Sequence, residues 1–199
     1  MESKRSRNQR GSGEQLRDDL IRVASELLEL PQVVETPSLR KIASATGVAP
    51  SAVYTRFQSG EQLLQAVIDN QYASLRDEVR KGVSTSRSAI LNLDVIATTY
   101  VNWGIQHPGL YQLLFESADQ LPDGLVAMGP GVELLAEIAP LVAKHSGCNT
   151  EVSQQTTMRL WAALHGITSL RIHKKHAPWS TEVNEEASAT VRAFLNCLP

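Results

Sequence analysis

Between Ser38 and Arg56 the chain gathers Ser38, Arg40, Lys41, Pro50, Ser51, Tyr54, Thr55 and Arg56, a set rich in the hydroxyls and cations that hydrogen-bond phosphate oxygens and base edges. Arg40 is expected to reach guanine O6 and N7 in bidentate fashion, with a phosphate contact as the alternative. Lys41 and Ser38 suit phosphates, Ser38 because it also presents a helix N-terminus to the anion. Pro50 and Ser51 are too short to reach far, so they would touch thymine methyls or phosphates by close approach. A second set, Tyr72, Trp103, Tyr111, Phe115, Met158, Trp161 and His165, is rich in aromatic area. Brought together, these side chains would suit a largely apolar small molecule with one or two polar handles, and flavonoid-like, lipid-like and drug-like molecules are equally admissible. No nucleophile–base pair or metal-ligand spacing stands out and no Gly-rich phosphate motif is present, so neither an enzyme nor a cofactor is expected.

Helices must position both sets. After Ser38 as N-cap, Leu39, Ile42 and Ala43 recur at the three-and-four spacing of a buried stripe. Thr46-Gly47-Val48 then supplies a corner, in which Gly47 takes positive φ at low cost and Val48 fills the angle between helices. Pro50 suits the first turn of a second helix, where its missing N–H would be unpaired anyway. Ala52, Val53 and Phe57 point inward in that helix, leaving Pro50, Ser51, Tyr54, Thr55 and Arg56 outward. A short helix with small residues at its start and an aromatic hydroxyl and a cation further on fits the major groove. A helical hairpin buried in a core is the competing reading.

Helical period continues through the rest of the chain with almost no strand alternation. A first helix starts at Ser12, with Gln15 completing a capping box, buries Leu16, Leu20, Val23, Ala24, Leu27 and Leu28, and ends at Pro31. A long helix from Glu61 to about Lys81 carries Leu64, Val67, Ile68, Tyr72, Leu75 and Val79 inward. The turn-forming stretch Gly82 to Ser88 marks a boundary. Beyond it lie a helix from Ser88 to Gln106, with Leu91, Val95, Thr98, Tyr100, Val101 and Trp103 as core or lumen candidates, and a short one carrying Leu110 to Phe115. A loop or broken helix spans Leu121 to Gly131. Three further helices run from Val132 to His145, from a Thr150 or Ser153 cap to about His176, and from Ser180 to Leu198. The expected fold is all-α, with about nine helices. A three-helix helix-turn-helix domain (12–59) follows a disordered basic arm (1–11) and leads through a connecting helix (60–82) into a larger ligand-binding and dimerisation domain (83–199).

A chain of 199 residues is long enough for a sizeable core. Its net charge of −2 is unevenly spread: nine Lys/Arg face seven Asp/Glu in residues 1–60, whereas the remainder is acidic. Lys4, Arg5, Arg7 and Arg10 against Glu2 make the arm a DNA-backbone or minor-groove device, or a solvated tail. No stretch approaches the roughly 18 apolar residues of a membrane helix, and the polar start is no signal peptide, so a cytoplasmic location with no membrane partner is expected. Cys148 and Cys197 read as free thiols, an oxidation-sensing pair being the alternative. His173 and His176 could share a helical face, but the neighbouring Lys174 and Lys175 favour a solvated helix end over a metal.

Ile42-Ala43, Gly47-Val48, Val53-Tyr54, Phe57 and Ser59-x-Glu61-x-Leu63 together resemble the N-terminal domain of the TetR family of transcriptional regulators. The resemblance implies that the Tyr54 hydroxyl meets the DNA backbone, with Thr55 and Arg56 at neighbouring phosphate-facing positions. The chain departs from the family at two places: Gly60 stands where a Lys usually opens the fourth helix, and Ala49 where a capping Ser often precedes the recognition helix. Trp161-Ala-Ala-Leu-His165-Gly166, and the stretch from Trp103 to Tyr111 that includes His107-Pro108-Gly109, are similar to one class of ligand-binding domains in this family. Trp161 and His165 lie one turn apart on one face. Packing is the favoured role for Trp161 and for Gly166, which would let a neighbouring helix come close, while His165 suits packing and ligand contact about equally.

A single short helix reads only a few base pairs, so a homodimer on a near-palindromic operator in double-stranded DNA is expected, its heads roughly 34 to 36 Å apart. Leu160, Leu164, Ile167 and Arg171 on one helix and Val191, Phe194, Leu195 and Leu198 on another are the interface candidates, burial within one subunit being the competing reading. The expected function is a sequence-specific repressor released by a small-molecule effector. The alternative is an effector-independent DNA-binding protein or activator of the same fold.

Overall fold

The helical periods of the sequence are realised in the computed structural model, which describes residues 12–31, 35–117, 121, 125 and 129–196. Among the described residues there are nine α-helices and no strand. The basic arm, Cys197 and Leu198 lie outside them.

Three short helices and the first turns of a fourth share one core. Helix α1 (Ser12–Leu27) packs on α2 (Leu39–Thr46) and α4 (Gly60–Gly82), while α2 packs on α3 (Pro50–Tyr54). Leu20, Ala24, Ile42, Val53, Phe57, Leu63 and Leu64 are buried there. Gly47 closes α2 in the left-handed region, at φ 74°. Its neighbour Val48 donates its N–H to the Ala43 carbonyl at 3.0 Å, the long bond of a Schellman motif, which only a residue free of Cβ strain allows cheaply at that corner. Ser38 occupies the N-cap position of α2, but its side chain makes no capping bond. The effective cap lies one corner further on. At the start of α4 the Ser59 oxygen accepts the Gln62 N–H at 3.3 Å and Gln62 Oε1 accepts the Gln58 N–H at 2.8 Å, which satisfies two otherwise orphaned donors.

The remaining helices are α5 (Ala89–Gln106), α6 (Pro108–Phe115), α7 (Gly129–Ser146), α8 (Thr150–His173) and α9 (Val183–Asn196). Helix α5 is central and touches α4, α6, α7, α8 and α9. The 83–88 bend is pinned from α5: buried Asn92 accepts the Ser84 N–H at 3.1 Å and donates to the Ser84 carbonyl at 2.8 Å. Several ends differ from the sequence expectation. Helix α7 starts at Gly129 rather than Val132. Asn149, not Thr150 or Ser153, caps α8 by accepting the Val152 N–H at 2.9 Å. Helix α8 stops at His173 because the Lys174 carbonyl is turned over to the Ala177 N–H and the Trp179 indole, each at 3.0 Å. The final helix begins at Val183 instead of Ser180. Leu27 and Leu91, expected inside, are exposed.

Four residues expected at a subunit interface belong to this subunit's own core. Leu160, Leu164, Val191 and Leu195 are buried within the chain. Arg171 is held inside the subunit as well, donating to Glu186 at 2.7 Å and to the Thr181 carbonyl at 2.5 Å and stacking 4.3 Å over Trp179. What α8 leaves outside is another apolar stripe: Met158 (47 % exposed), Ala162 and Leu170 (49 % exposed). Gly166 belongs to this outer side; a Cβ there would touch nothing within 4 Å. The close helix approach expected at Gly166 is made by Gly104 on α5, where a Cβ would meet the Tyr111 ring at 2.6 Å and the side chain of Thr168.

Candidate nucleic-acid interface and ligand cavity

All eight residues of the first set are exposed, and none belongs to the core. The corner at Gly47 brings them together from two packed helices, Ser38, Arg40 and Lys41 from α2 and its cap, the others from α3 and its exit. Tyr54 is half exposed, at 51 %, because α3 buries only Val53 and then turns through Phe57 into the core. Thr55 donates its hydroxyl to the Ala52 carbonyl at 2.6 Å, so that only its lone pairs remain for another partner. Ala49 has no side-chain oxygen for the N-cap of α3, and Pro50 follows at the first turn. The Arg56 guanidinium leans over Gly13, in the first turn of α1. Arg17 lies 5.5 Å over the Phe57 ring, so a second cation borders the recognition helix. The helical period of α1 places Arg17 only on a polar face and gives no hint of this neighbour.

Gly60 has a steric reason. A Cβ there would stand 2.5 Å from the Pro37 carbonyl oxygen and 2.5 Å from the Thr36 methyl. The strand of chain leading into α2 crosses the start of α4 so closely that no side chain fits without moving backbone.

Helices α4, α5, α6, α7 and α8 enclose a cavity of about 50 Å³ whose wall is almost entirely carbon. Tyr72, Phe115 and Trp161 from the second set line it. Tyr111 and His165 stand behind the wall: Tyr111 is fully buried, stacks on His165 at 5.6 Å and packs against Phe115 at 4.9 Å. Trp103 is buried outside the cavity beside His107, at 5.3 Å. Met158 is a correction: it is exposed on the outer side of α8 and does not line the cavity. Trp161, for which packing was favoured, lines the cavity. Wall residues outside the second set include Tyr100, Ile96, Thr157 and, from α7, Leu134 and Ile138. Helical period marks Tyr100 as inward, but nothing in one sequence tells core from lumen.

Burial governs the titratable groups here. It pushes the Tyr72 phenol up to about 12 and drives the Tyr100 and Tyr111 phenols well above their ordinary value, so all three stay neutral. It also pushes the His165 imidazole down, partly opposed by the Glu116 carboxylate. The Tyr100 hydroxyl lies 2.9 Å from the Tyr111 hydroxyl, which is 2.6 Å from His165 Nδ1.

Two elements join the cavity to the N-terminal head formed by α1, α2, α3 and the first turns of α4. Leu63 and Leu64 of α4 lie in the head's core, and Tyr72 and Val79 of the same helix line the cavity. Helix α6 presents Phe115 to the cavity, and its other end docks on the end of α1. Gly109 donates its N–H to the Glu29 carbonyl at 2.9 Å, and His107 Nδ1 meets Glu29 Oε1 at 2.7 Å. A Cβ on Gly109 would run into the carbonyl oxygens of Leu28 and Leu30. The carbonyl end of α1 thus meets the N–H end of α6, a favourable pairing of helix termini. Among the described residues no group of three or more His, Cys, Asp or Glu could hold a metal ion, and no helix is long and apolar enough to cross a membrane. Cys148 is a free thiol, and His173 pairs with Glu116 at 2.9 Å.

No curated protein is significantly similar to this chain. Among solved structures, a protein with unknown function from Rhodococcus sp. RHA1 superposes with a TM-score of 0.76 at 21 % identity, over 99 % of this chain and 99 % of that one. A TetR-family transcriptional regulator from Streptomyces coelicolor gives 0.72 at 17 % identity, over 91 % of this chain and 79 % of that one. One from Bordetella parapertussis 12822 gives 0.65 at 20 % identity, over 94 % and 99 %. These likenesses establish the fold. Residues 93–194, just over half of the chain, match the family described as Tetracyclin repressor-like, C-terminal domain, and the chain therefore belongs to the TetR family of transcriptional regulators.

Proposed function

We propose that this protein is a cytoplasmic homodimeric repressor, held on a near-palindromic operator in double-stranded DNA and released when a small, largely apolar molecule enters the cavity. The observation that carries this reading is the sharing of α4 and α6: each has one end on the cavity wall and the other in or against the head. A ligand that spreads the walls can therefore change the angle and spacing of two heads. Its effect on DNA affinity equals its differential affinity for the two arrangements. In this reading residues 12–59 read DNA, aided by the arm at 1–11, 60–82 connect, and 83–199 bind ligand and dimerise. Arg40 reads bases, Pro50 and Ser51 approach them closely, and Ser38, Lys41, Tyr54, Thr55 and Arg56 hold phosphates.

The test is a mobility shift with DNA flanking the protein's own gene, at two salt concentrations. A shifted band that weakens with salt is expected, and no band at low salt overturns DNA binding. Tyr54→Ala is expected to lose the band while sedimentation still gives a dimer and the melting temperature holds, since the side chain is exposed; a monomeric or unfolded variant would make Tyr54 structural. Thermal-shift screening then addresses release. If no stabilising compound lifts the protein from DNA, the effector half of the reading falls.

A further inference from the structure

With the His165 proton on Nε2, each hydroxyl on the cavity wall has its own proton directed inside the protein. Tyr72 donates to the Leu114 carbonyl at 3.2 Å and Thr157 to the Ser153 carbonyl at 2.8 Å. For Tyr100 the direction follows from its neighbour. Tyr111 has two acceptors on His165, Nδ1 at 2.6 Å and the carbonyl oxygen at 3.4 Å. With Nδ1 bare, Tyr111 donates to it. With the proton on Nδ1, the imidazole donates to the Tyr111 oxygen, and the Tyr111 proton has the Tyr100 oxygen at 2.9 Å as well as the carbonyl at 3.4 Å as acceptor. With Nδ1 bare, the Tyr111 oxygen is left as the acceptor for Tyr100, 2.9 Å away, and His165 is taken in this tautomer. The Trp161 indole shares the wall and lies close enough to the Tyr100 oxygen to favour its anion. A hydroxyl oxygen accepts two bonds, so even with the indole at one position another on Tyr100 stays open.

The rest of the wall offers nothing polar to compete. Its residues lie on helices or at their ends and none is charged. The Glu116 carboxylate, next in sequence to Phe115 and paired with His173, contributes negative potential at Tyr100, Tyr111 and His165. A ligand thus meets carbon, acceptor oxygens and a negative potential.

We propose that the cavity selects an uncharged apolar molecule whose polar group is a hydrogen-bond donor, a phenol or an alcohol, received by the Tyr100 oxygen. This rests on reading the cavity as the effector site and narrows the effector's chemistry. An ether or ketone of the same shape brings an acceptor to acceptors, and a carboxylate adds a charge next to Glu116. The cavity is smaller than the ~150 Å³ that accommodates benzene, so even a one-ring ligand displaces side chains. A series of chain lengths is therefore needed.

The experiment is calorimetric titration of the full chain with 4-alkylphenols from ethyl to octyl, their methyl ethers and the matching 4-alkylbenzoates, with mobility shifts run in parallel. At the best chain length the phenol is expected to bind at least about tenfold tighter than its ether, because an unpaired buried acceptor is costly, and the benzoate not at all. Tyr100→Phe is expected to bring phenol and ether within about twofold of each other, while Met158→Ala, outside the cavity, keeps the preference. An ether or benzoate that binds as tightly as its phenol overturns the proposal, as does a series in which no phenol binds. The wild-type comparison decides even if Tyr100→Phe fails to fold. A phenol that binds with this preference yet leaves the protein on DNA supports the donor rule and removes the effector reading. An ether that releases DNA as readily as its phenol does the reverse.

Discussion

Burial fixes the charge of His165 and makes stability depend on pH in a definite direction. Its imidazole titrates below the ordinary value in the folded chain because desolvation outweighs the pull of Glu116. In the unfolded chain it titrates near the reference value of about 6.5. Between the two values the unfolded state holds more protons, so stability is complete above pH ~6.5 and falls as pH drops toward the folded value. Thermal melts across this range are expected to show a fall that His165→Asn reduces. His107 and His173, which bind Glu29 and Glu116, are present in both proteins, so the difference between the two curves isolates His165; equal curves would refute the assignment. Gly60 is the other residue with a clear consequence. Restoring the family's Lys there puts a Cβ against the Pro37 carbonyl, so Gly60→Lys is expected to cost about 1–3 kcal/mol in urea denaturation, whatever the new charge does for DNA. The sequence marks Gly60 as a departure, but its reason is a close approach by residues 36 and 37, which periodicity cannot register.

Helices were legible where one face is apolar and the other polar, and less so where they are apolar on both. Val53 and Phe57 in the head follow directly from spacing, as do Tyr72 and Val79 on α4. On α8 the inner face has Leu160 and Leu164, the outer face Met158, Ala162 and Leu170, and an apolar helix surface gives no direction for inside. Sequence alone therefore assigns Met158 to the cavity and leaves Leu160 and Leu164 between a subunit interface and burial within one subunit. The motif from Trp103 to Tyr111 was visible as a motif, whereas its work in docking α6 under α1 depends on a contact distant in sequence. That contact is open to test. Gly109→Ala drives a methyl into the carbonyls of Leu28 and Leu30, both backbone atoms that can yield only if α1 moves. A loss of about 1–3 kcal/mol is expected, together with weakened operator binding, because α1 packs on both α2 and α4. Leu91→Ala, on the exposed side of α5, serves as the control. Equal urea midpoints for the two variants would mean that the α1–α6 seam carries no strain.

At the scale of the molecule, the described residues leave an apolar stripe uncovered on α8, with Gly166 at a point where a second helix could approach closely. Exposed Ala189 and Ala193 on α9 continue the small-residue surface. A two-fold axis beside these helices would set α8 and α9 of two subunits into a four-helix bundle. The expected consequence is a dimer in sedimentation equilibrium that Ala162→Glu converts to a monomer of unchanged helicity. The same change should alter the salt dependence of operator binding. If each head neutralises three to six phosphates, the dimer's affinity falls with salt at a logarithmic slope of about −5 to −11, and a lone head shows roughly half that slope. The overall charge of −2 gives little non-specific attraction to obscure the comparison. A variant that is monomeric yet keeps the full slope would mean that one subunit makes all the phosphate contacts, and the operator would then have no reason to be palindromic.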